Sequence, residues 1–484
     1  MDRHMDQTPR RHRLSLAAGV AGLLALVAVG GVAGQTDSPP GAAWPGTRVE
    51  AYELEVTPSF ETGSLSARAV LHLVNHGPDP EAEVPVLLNR LLRVSAVRGA
   101  AGSDLDHDQD VVAFDDVPDL RVNLVRIRLT EPLAPGEATT IDLDYGGELA
   151  AYTEVFGYVH DRIDPAFTIL REDAFAYPVV GVPSFGARIR AGLHDFRYTA
   201  TVVVPAPLVV ANGGELLGRE TRDGVTRYTY RSIVPSWRMD FAIAPYRVLE
   251  RDGRRVFYFP EDSVGARRVF DALEATKALY ADWFGPLHGP QGFAVISVPK
   301  EFGAQADATA IIQTADAFAD ARGLESLYHE VSHLWNARAL DEWPPRWDEG
   351  LATYLQYRVA ELRDGSPPVA ERARTLARRV RADAERNPRL REVPMIDYGR
   401  HRMTDASYTV GTLLFAALED RLGRPGLDRI VGEYYQRYHE TGATTQDLVR
   451  LAAELSDGAS DQLFDVWLLT TRWVDEMEDW FGER

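Results

Sequence analysis

Residues His329–His333 form the pattern H-E-x-x-H, and fifteen further residues separate this segment from Glu349. Because four residues advance an α-helix by about 400°, His329 and His333 would project from one face, one turn apart. Two imidazoles and a carboxylate fill three corners of a tetrahedron and leave the fourth for water, as in catalytic zinc sites. The spacing therefore predicts one Zn²⁺ ion bound by His329, His333 and Glu349. Glu330 would then be the general base that takes a proton from water.

A pattern of five residues with two free positions also arises by chance, so its surroundings matter. Apolar residues recur at helical spacing from Leu324 to Trp335 and predict a helix over residues 323–340. A second apolar pattern begins near Asp348 and predicts a helix whose first turn carries Glu349. Both helices favour a real metal site over a chance match or over histidines that are merely packed.

Composition narrows the class of protein. The chain has 484 residues, which is long for one hydrophobic core, so two or three domains are expected. Its formal net charge of −20 argues against a nucleic-acid partner, because an acidic surface and a phosphate backbone repel each other. Cysteine is missing from the sequence, which excludes disulfides and thiolate ligands. Any zinc must therefore be held by histidine and carboxylate side chains.

Residues 1–46 are typical of a targeting segment followed by a linker. Arg10 and Arg11 precede an uncharged apolar run, Leu14–Ala33, and a stretch rich in proline and glycine follows. We therefore expect an exported protein. Cleavage after the run would give a secreted or periplasmic form. An uncleaved run is long enough to anchor the protein in a membrane, with the catalytic domain outside. The sequence leaves both forms open.

Periodicity divides the rest of the chain into two halves. Residues 47–250 contain short segments of alternating polarity, such as Ala67–Val74 and Tyr198–Val204, and predict a β-sandwich. Residues 251–484 contain apolar residues at helical spacing, as in Val264–Trp283, and predict mainly helices with a small sheet. Further helices are predicted over Val369–Arg386, Tyr408–Leu422, Leu427–His439 and Gln446–Leu455. The predicted fold class is multidomain α+β.

Over roughly residues 48–480 the chain resembles the aminopeptidase N and leukotriene hydrolase family of gluzincin zinc metallopeptidases. The resemblance rests on the order of the two halves, the H-E-x-x-H and W-x-E-G motifs, and two further segments. Tyr408 matches the tyrosine of the family's Y-x-K-G motif, and Phe175–Pro178 is similar to its sandwich-to-sheet junction. The resemblance implies that residues 251–484 form a thermolysin-like zinc peptidase domain that acts on peptides. It also implies that Tyr408 donates a hydrogen bond to the oxyanion. The alternative for Tyr408 is a buried core position.

Three departures from the family pattern affect the expected site. The family has eighteen residues between the second histidine and the glutamate, so the connection through Asp341–Pro345 must be tighter here. The glutamate that the family places seven residues after the metal ligand is Gln356, which removes a charge near the histidines. The segment Gly303–Asp307 occupies the place of the family's G-x-M-E-N strand, and Ala306 stands where the family has its glutamate.

That missing glutamate captures the α-amine of the substrate in the family. We predict that the substrate is bound along this strand by Gly303, Ala304, Gln305 and Asp307. Asp307 or Gln305 could replace the glutamate from a shifted register, because a carboxylate near the pocket still pairs with an ammonium group. Alternatively, the strand only binds the peptide backbone as an edge strand.

The sequence ends 76 residues after Tyr408, so we expect a short, divergent relative without the family's large C-terminal helical domain. A cleft without that domain would be open to longer peptides. The leading hypothesis is an exported zinc metallopeptidase that is aminopeptidase-like, with an altered strand for amine recognition. The alternatives are an open-groove endopeptidase, a glycyl-aminopeptidase-type gluzincin, and a surface protein that binds peptides without catalysis. The oligomeric state does not follow from the sequence.

Overall fold

The structure is a computed structural model, and it describes residues 43–100, 102–289 and 293–482. Its strands are, in chain order, β1 (Thr47–Ser59), β2 (Ser64–Asn75), β3 (Glu81–Asn89), β4 (Leu92–Gly99), β5 (His107–Ala113), β6 (Arg121–Leu133), β7 (Ala138–Glu148), β8 (Thr168–Leu170), β9 (Val179–Val180), β10 (Arg197–Pro205), β11 (Val209–Ala211), β12 (Glu215–Arg222), β13 (Val225–Arg231), β14 (Phe241–Ala244), β15 (Arg247–Arg251), β16 (Arg254–Tyr258), β17 (Phe293–Val298), β18 (Gln305–Ala306) and β19 (Ala310–Thr314). Its α-helices are α1 (Phe185–Ala191), α2 (Ser263–Phe284), α3 (Asp316–Ala319), α4 (Leu324–Ser332), α5 (Trp347–Asp364), α6 (Val369–Arg386), α7 (Arg389–Glu392), α8 (Asp405–Tyr438), α9 (Thr445–Leu455), α10 (Asp461–Phe464) and α11 (Trp473–Phe481).

The first half of the chain is a β-sandwich. A seven-stranded sheet has the order β12-β13-β10-β1-β2-β7-β4, and a four-stranded sheet has the order β5-β6-β3-β9. Alternate residues of β1 are buried, as a strand with one solvated face requires. The buried faces share one core, in which Leu71 and Leu143 of the larger sheet join Val86 and Val125 of the smaller one. This arrangement confirms the β-sandwich that the alternating polarity predicts.

Two further sheets join the sandwich to the helical half. A three-stranded sheet, β11-β14-β8, packs against a five-stranded sheet, β15-β16-β17-β19-β18, through residues such as Ile169, Ala242 and Ile296. The five-stranded sheet is the small sheet expected in the catalytic half, and α2 and α4 contact its strands. The expected domain boundary after residue 250 lies within β15, which pairs with β16 in this sheet.

A buried ionic network connects the two halves. Arg171 pairs with Asp161 at 2.8 Å, and Arg238 pairs with Asp173 at 2.9 Å, and all four side chains are almost fully buried. Arg171 also donates to the carbonyl of Phe302, in the segment before β18, at 3.3 Å. Removing one member of a buried ion pair is strongly destabilising, because the remaining charge is left without compensation. The network therefore fixes how the sandwich meets the strand expected to bind substrate.

The helical half follows the sequence pattern closely. The segment Val369–Arg386 is α6 itself, and the two helices predicted between Tyr408 and His439 join across a kink at Gly423, where φ is 70°. At α9, Thr444 and Asp447 form the capping box that their spacing predicts. These outcomes agree with the predicted class, a sandwich followed by a mainly helical domain with a small sheet.

The helix predicted over 323–340 is too long. α4 ends at Ser332, and one 3₁₀ turn, His333–Trp335, follows it. The chain then leaves the helical path, because the backbone NH of Leu340 donates to the carbonyl of Ala443 at 2.9 Å. A long-range contact therefore replaces the last turns that the apolar spacing suggests.

The apolar run Leu14–Ala33 and most of the expected targeting segment lie outside the described residues. Within the part of the chain that the structure describes, no helix has the length and apolar character needed to cross a membrane.

Candidate metal centre

Helix α4 holds His329 and Glu330 in position because one of its faces packs in the hydrophobic core. Leu327, Tyr328 and Val331 belong to the core of the helical half. The hydroxyl of Tyr280 in α2 donates to the carbonyl of Tyr328 at 2.9 Å and ties the two helices together at this level. His329 therefore projects from a helix that is held on its opposite side. His333 follows in the 3₁₀ turn, and its ring centroid lies 5.0 Å from that of His329.

The structure brings the three predicted metal ligands together. Glu349, in the first turn of α5, directs Oε2 toward both histidines, at 3.2 Å from His329 Nε2 and 3.5 Å from His333 Nε2. The ligand atoms all lie within 4.8 Å of one another. Zinc–nitrogen bonds of about 2.0–2.1 Å place neighbouring ligands of a tetrahedral ion about 3.3 Å apart. The donor set and its spacing therefore fit one zinc ion.

Arg346 holds the other oxygen of Glu349. Its guanidinium forms an ion pair with Oε1, and its backbone is left-handed, with φ of 59°, where α5 begins. Burial opposes the ionised form of Glu349. The positive charges of Arg346 and then His333 outweigh this effect and hold the pKa of Glu349 well below its usual range. Arg346 is not among the site residues predicted from the sequence, although it directly precedes W-x-E-G and a basic residue next to a predicted buried carboxylate is a usable signal.

The connection between His333 and Glu349 can be short because hydrogen bonds hold it against residues 443–445. Besides the bond from Leu340, Asp341 accepts hydrogen bonds from the backbone NH and the hydroxyl of Thr445, both at 2.9 Å. Asn336 donates to Asp348 at 3.2 Å and spans the two ends of the connection. Fifteen intervening residues therefore suffice to bring Glu349 back to the histidines.

Glu330 lies beside the three predicted metal ligands, and one of its carboxyl oxygens makes no hydrogen bond to the described residues. Its side chain is buried, and its Oε2 has no hydrogen-bond partner within the described ranges. Burial raises the pKa of Glu330 to about 8, although the positive charge of His333 acts in the opposite direction. A buried carboxyl that lacks a partner is costly, so its presence here indicates a role in the chemistry of the pocket.

Tyr408 reaches the pocket through a close contact between two helices. A Cβ placed on Gly350 would lie 2.4 Å from the Cα of Gly411, so α5 and α8 can cross here only without side chains. Gly350 follows Glu349, and Gly411 lies about one turn after Tyr408. The ring of Tyr408 stacks on His329, with centroids 5.9 Å apart and an interplanar angle of 11°. Burial, and then the charge of Glu349, raises the pKa of Tyr408 well above its usual value.

The strand expected to bind substrate lies at the edge of the five-stranded sheet. β18 pairs antiparallel with β19, with Gln305 opposite Ile312, and it contacts α4. The side chain of Gln305 is buried, and neither its Oε1 nor its Nε2 has a hydrogen-bond partner in the described chain. Gly303, with φ of 73°, and buried Ala304 lead into this strand. Gln305 is therefore a buried polar side chain of this segment whose amide has no hydrogen-bond partner among the described residues.

Asp307 is engaged in the turn that follows. Its Oδ1 accepts hydrogen bonds from the backbone NH groups of Thr309 and Ala310, both at 2.6 Å. Burial, and then the nearby charge of Asp240, raises the pKa of Asp307 to about 6. The carboxylate of Asp307 therefore stabilises the turn between β18 and β19.

Gln356 stands where the family resemblance places a glutamate. Its Nε2 donates to Oε2 of Glu325 in α4 at 3.0 Å, and Arg372 of α6 donates to the same oxygen at 2.7 Å. Gln356 therefore links α5 to α4 without adding a charge near the histidines.

The fold is shared with solved metallopeptidases. An M1 zinc metallopeptidase from Deinococcus radiodurans has a TM-score of 0.61 and 21% sequence identity, with 88% of this chain and 94% of that chain covered. A mutant M1 zinc metallopeptidase from Deinococcus radiodurans, bound to the substrate Tyr-Ser-Ala, has a TM-score of 0.60 at 21% identity, with 87% and 94% coverage. A two-domain M1 zinc metallopeptidase mutant bound to L-arginine has a TM-score of 0.57 at 20% identity, with the same coverage. At these identities the comparison establishes the two-part fold.

Neither a protein-family model nor a curated protein matches the sequence.

The contact between α5 and α8 can be tested with Gly350→Ala. The added methyl group would meet the backbone of Gly411 at 2.4 Å, so the helices must separate. We expect a loss of about 2 kcal/mol or more in the free energy of unfolding, measured by urea denaturation, and weaker binding of Zn²⁺. Gly218→Ala is the matched control, because nothing lies within 4 Å of a Cβ at that position. Equal stability of the two variants would contradict the proposed role of this contact.

Proposed function

We propose that this protein is a zinc metallopeptidase that cleaves peptide bonds, with aminopeptidase-like specificity. The observation that carries the proposal is the convergence of His329, His333 and Glu349 within 4.8 Å, with the free carboxyl oxygen of Glu330 beside them. A structural zinc site would need no such neighbour. The solved metallopeptidases with this fold add support, since one of them binds the tripeptide Tyr-Ser-Ala.

His329, His333 and Glu349 would hold the ion, and Arg346 keeps Glu349 ionised and oriented for this task. Zinc in such a site lowers the pKa of water to about 7 and polarises a carbonyl group. Three protein ligands leave one position for water or substrate, as catalytic rather than structural sites do. The ligand set is therefore suited to hydrolysis.

Glu330 and Tyr408 supply the remaining groups. The positive charge of a bound zinc ion would favour the ionised form of Glu330, whose free oxygen would then accept the proton of the attacking water and pass it to the leaving amine. The hydroxyl of Tyr408, whose raised pKa keeps it protonated at neutral pH, is a hydrogen-bond donor for the oxyanion that forms at the attacked carbonyl. Neither role is needed in a peptide-binding protein without catalysis.

Substrate would lie along the edge of β18. An exposed strand edge offers backbone NH and carbonyl groups to an extended peptide, and the unpartnered amide of Gln305 adds one donor and one acceptor. Asp240 is neutralised by its ion pair with Arg238 at 2.6 Å, so the carboxylate of Asp307 is the negative charge next to this strand. This charge would attract the free ammonium group of a peptide and so favours an aminopeptidase.

A second candidate function is an open-groove endopeptidase. It is favoured by Ala306, which leaves the strand without the carboxylate that the family resemblance assigns to amine capture. The same zinc chemistry would then act within longer peptides. A glycyl-aminopeptidase-type gluzincin has the same ligand set. The resemblance to the aminopeptidase N family is favoured over it by the order of sandwich and peptidase domain and by the position of Tyr408.

We further propose that the protein is exported. The arginines before Leu14–Ala33 and the uncharged run itself support this proposal. The catalytic half would then act outside the membrane, whether or not the run is removed.

The general base can be tested with Glu330→Gln. This change keeps all three metal ligands but removes the proton acceptor, so we expect unchanged zinc content and a catalytic rate lower by about a thousandfold or more. Zinc is measured by mass spectrometry of the metal, and the rate with a fluorogenic peptide. Glu325→Gln, on the same helix but bound to Gln356 and Arg372, should change the rate only a few fold. Wild-type activity in Glu330→Gln would rule out the mechanism.

The oxyanion donor can be tested with Tyr408→Phe. A hydrogen bond made mainly in the transition state should cost about a hundredfold in kcat with little change in KM. Tyr398→Phe is the control, because this buried hydroxyl has no hydrogen-bond partner in the described part of the chain and belongs to the helical core. If both variants keep the wild-type kcat, Tyr408 is a core residue only.

Specificity can be tested with matched peptides that carry a free or an acetylated N-terminus. We expect chelator-sensitive cleavage of the free peptides alone, since acetylation removes the ammonium group that the Asp307 carboxylate would attract. Products are identified by mass spectrometry, with Glu330→Gln as the blank. Internal cleavage of both peptides would establish the endopeptidase instead. Cleavage of neither, with zinc bound, would argue for peptide binding without catalysis.

A further inference from the structure

A second cluster of metal-ligating side chains lies on the sandwich. Glu50 comes from β1, His76 from the turn after β2, and His194 from the segment between α1 and β10. The three residues are distant in sequence, but their ligand atoms all lie within 4.8 Å of one another. No part of the peptidase chemistry uses them.

Both imidazoles point at the same carboxylate oxygen. Glu50 Oε1 lies 2.7 Å from His76 Nε2 and 3.3 Å from His194 Nε2. The corresponding distances in the candidate zinc site are 3.2 and 3.5 Å, and neighbouring ligands of tetrahedral zinc lie about 3.3 Å apart. The second cluster therefore has nearly the spacing of the first. A small movement of His76 away from Glu50 would give the spacing of tetrahedral zinc ligands. The side chains of His76 and Glu50 are half exposed, at 50% and 44%, and are free to make this movement.

His194 supplies an independent observation. Its Nε2 is shielded from solvent but has no hydrogen bond within the described residues, although it faces Glu50. A shielded imidazole nitrogen that faces a carboxylate but makes no hydrogen bond is well placed to coordinate a metal ion.

We propose that Glu50, His76 and His194 form a second site for a divalent transition-metal ion such as Zn²⁺. Two imidazoles and one carboxylate are the ligands that such ions prefer over the oxygen-rich sites of Ca²⁺ and Mg²⁺. Water completes the coordination on the exposed side. The proposal does not depend on peptidase activity.

The site would anchor a segment that touches the catalytic half. His194 follows α1, whose Arg190 lies over the ring of Trp343 with 5.4 Å between the guanidinium carbon and the centroid. Trp343 belongs to the short connection between His333 and Glu349. Asp195, next to His194, also interacts with Arg338 of that connection. A metal that joins β1, the turn after β2 and this segment would therefore stabilise the contact between the sandwich and the catalytic connection.

The test measures metal binding in a chain that lacks the first site. His329→Ala and His333→Ala together remove two of its ligands, and the double variant is dialysed against about 1 µM free Zn²⁺ and analysed for zinc by mass spectrometry. We expect one zinc ion per chain. Adding His76→Ala or His194→Ala should lower the affinity for zinc by at least about a hundredfold, since loss of an outer-shell partner alone costs up to that much.

A neighbouring pair provides the matched control. His72 lies on β2 and contacts Glu53 of β1 at 3.0 Å, so it repeats the histidine–glutamate pair without a second histidine. His72→Ala in the same background should retain the zinc ion. In addition, Zn²⁺ should raise the midpoint of thermal unfolding of the background and of the His72→Ala chain, but not of the His76→Ala chain.

Two results would overturn the proposal. One is a background chain that binds no zinc under these conditions. The other is equal zinc binding by the His76→Ala and His72→Ala chains, which would place the ion elsewhere. Because the background lacks the candidate catalytic site, both results can be distinguished from a failure of the proposed peptidase function.

Discussion

The contact of α5 with α8 at Gly350 and Gly411 is the constraint on which the candidate site depends. Two backbones approach here at a distance that no side chain permits. The approach places Glu349, next to Gly350, in the same pocket as Tyr408, which precedes Gly411 by about one turn. α4 then needs only to present His329 from its fixed face. The candidate metal site and the proposed oxyanion donor are thus brought together by one close helix crossing.

The charged side chains buried in this interior lie in groups in which positive and negative charges compensate each other. Arg346 pairs with Glu349, and Arg171 and Arg238 pair with aspartates at the junction of the two halves. Transferring an isolated charge from water would cost several kcal/mol, so each arginine needs a carboxylate within hydrogen-bond distance. Glu330 is different, because its free oxygen is kept beside the ligands and its pKa rises to about 8. The unpaired, buried carboxyl of Glu330 therefore lies at the place where proton transfer is proposed.

The edge of the five-stranded sheet is where this chain departs most from the family it resembles. Ala306 offers no charge, Asp307 bonds to its own turn, and Gln305 keeps a buried amide without a partner among the described residues. The carboxylate of Asp307 therefore lies in the turn after β18 rather than on the strand. This arrangement is consistent with a peptide held mainly by backbone hydrogen bonds and with a weaker, longer-range attraction for its ammonium group.

The sequence by itself determined the local features. Alternating polarity predicted the sandwich strands, helical spacing predicted α2, α6 and α9, and the i, i+4 histidines with Glu349 predicted the ligand set. These features follow from periodicities of two and of about 3.6 residues, which any segment carries within itself. Only the tertiary structure decided the end of α4 at Ser332, the close crossing of α5 with α8, and the meeting of His76 with His194. Each depends on contacts between segments distant in the chain, and such contacts leave no period in the sequence.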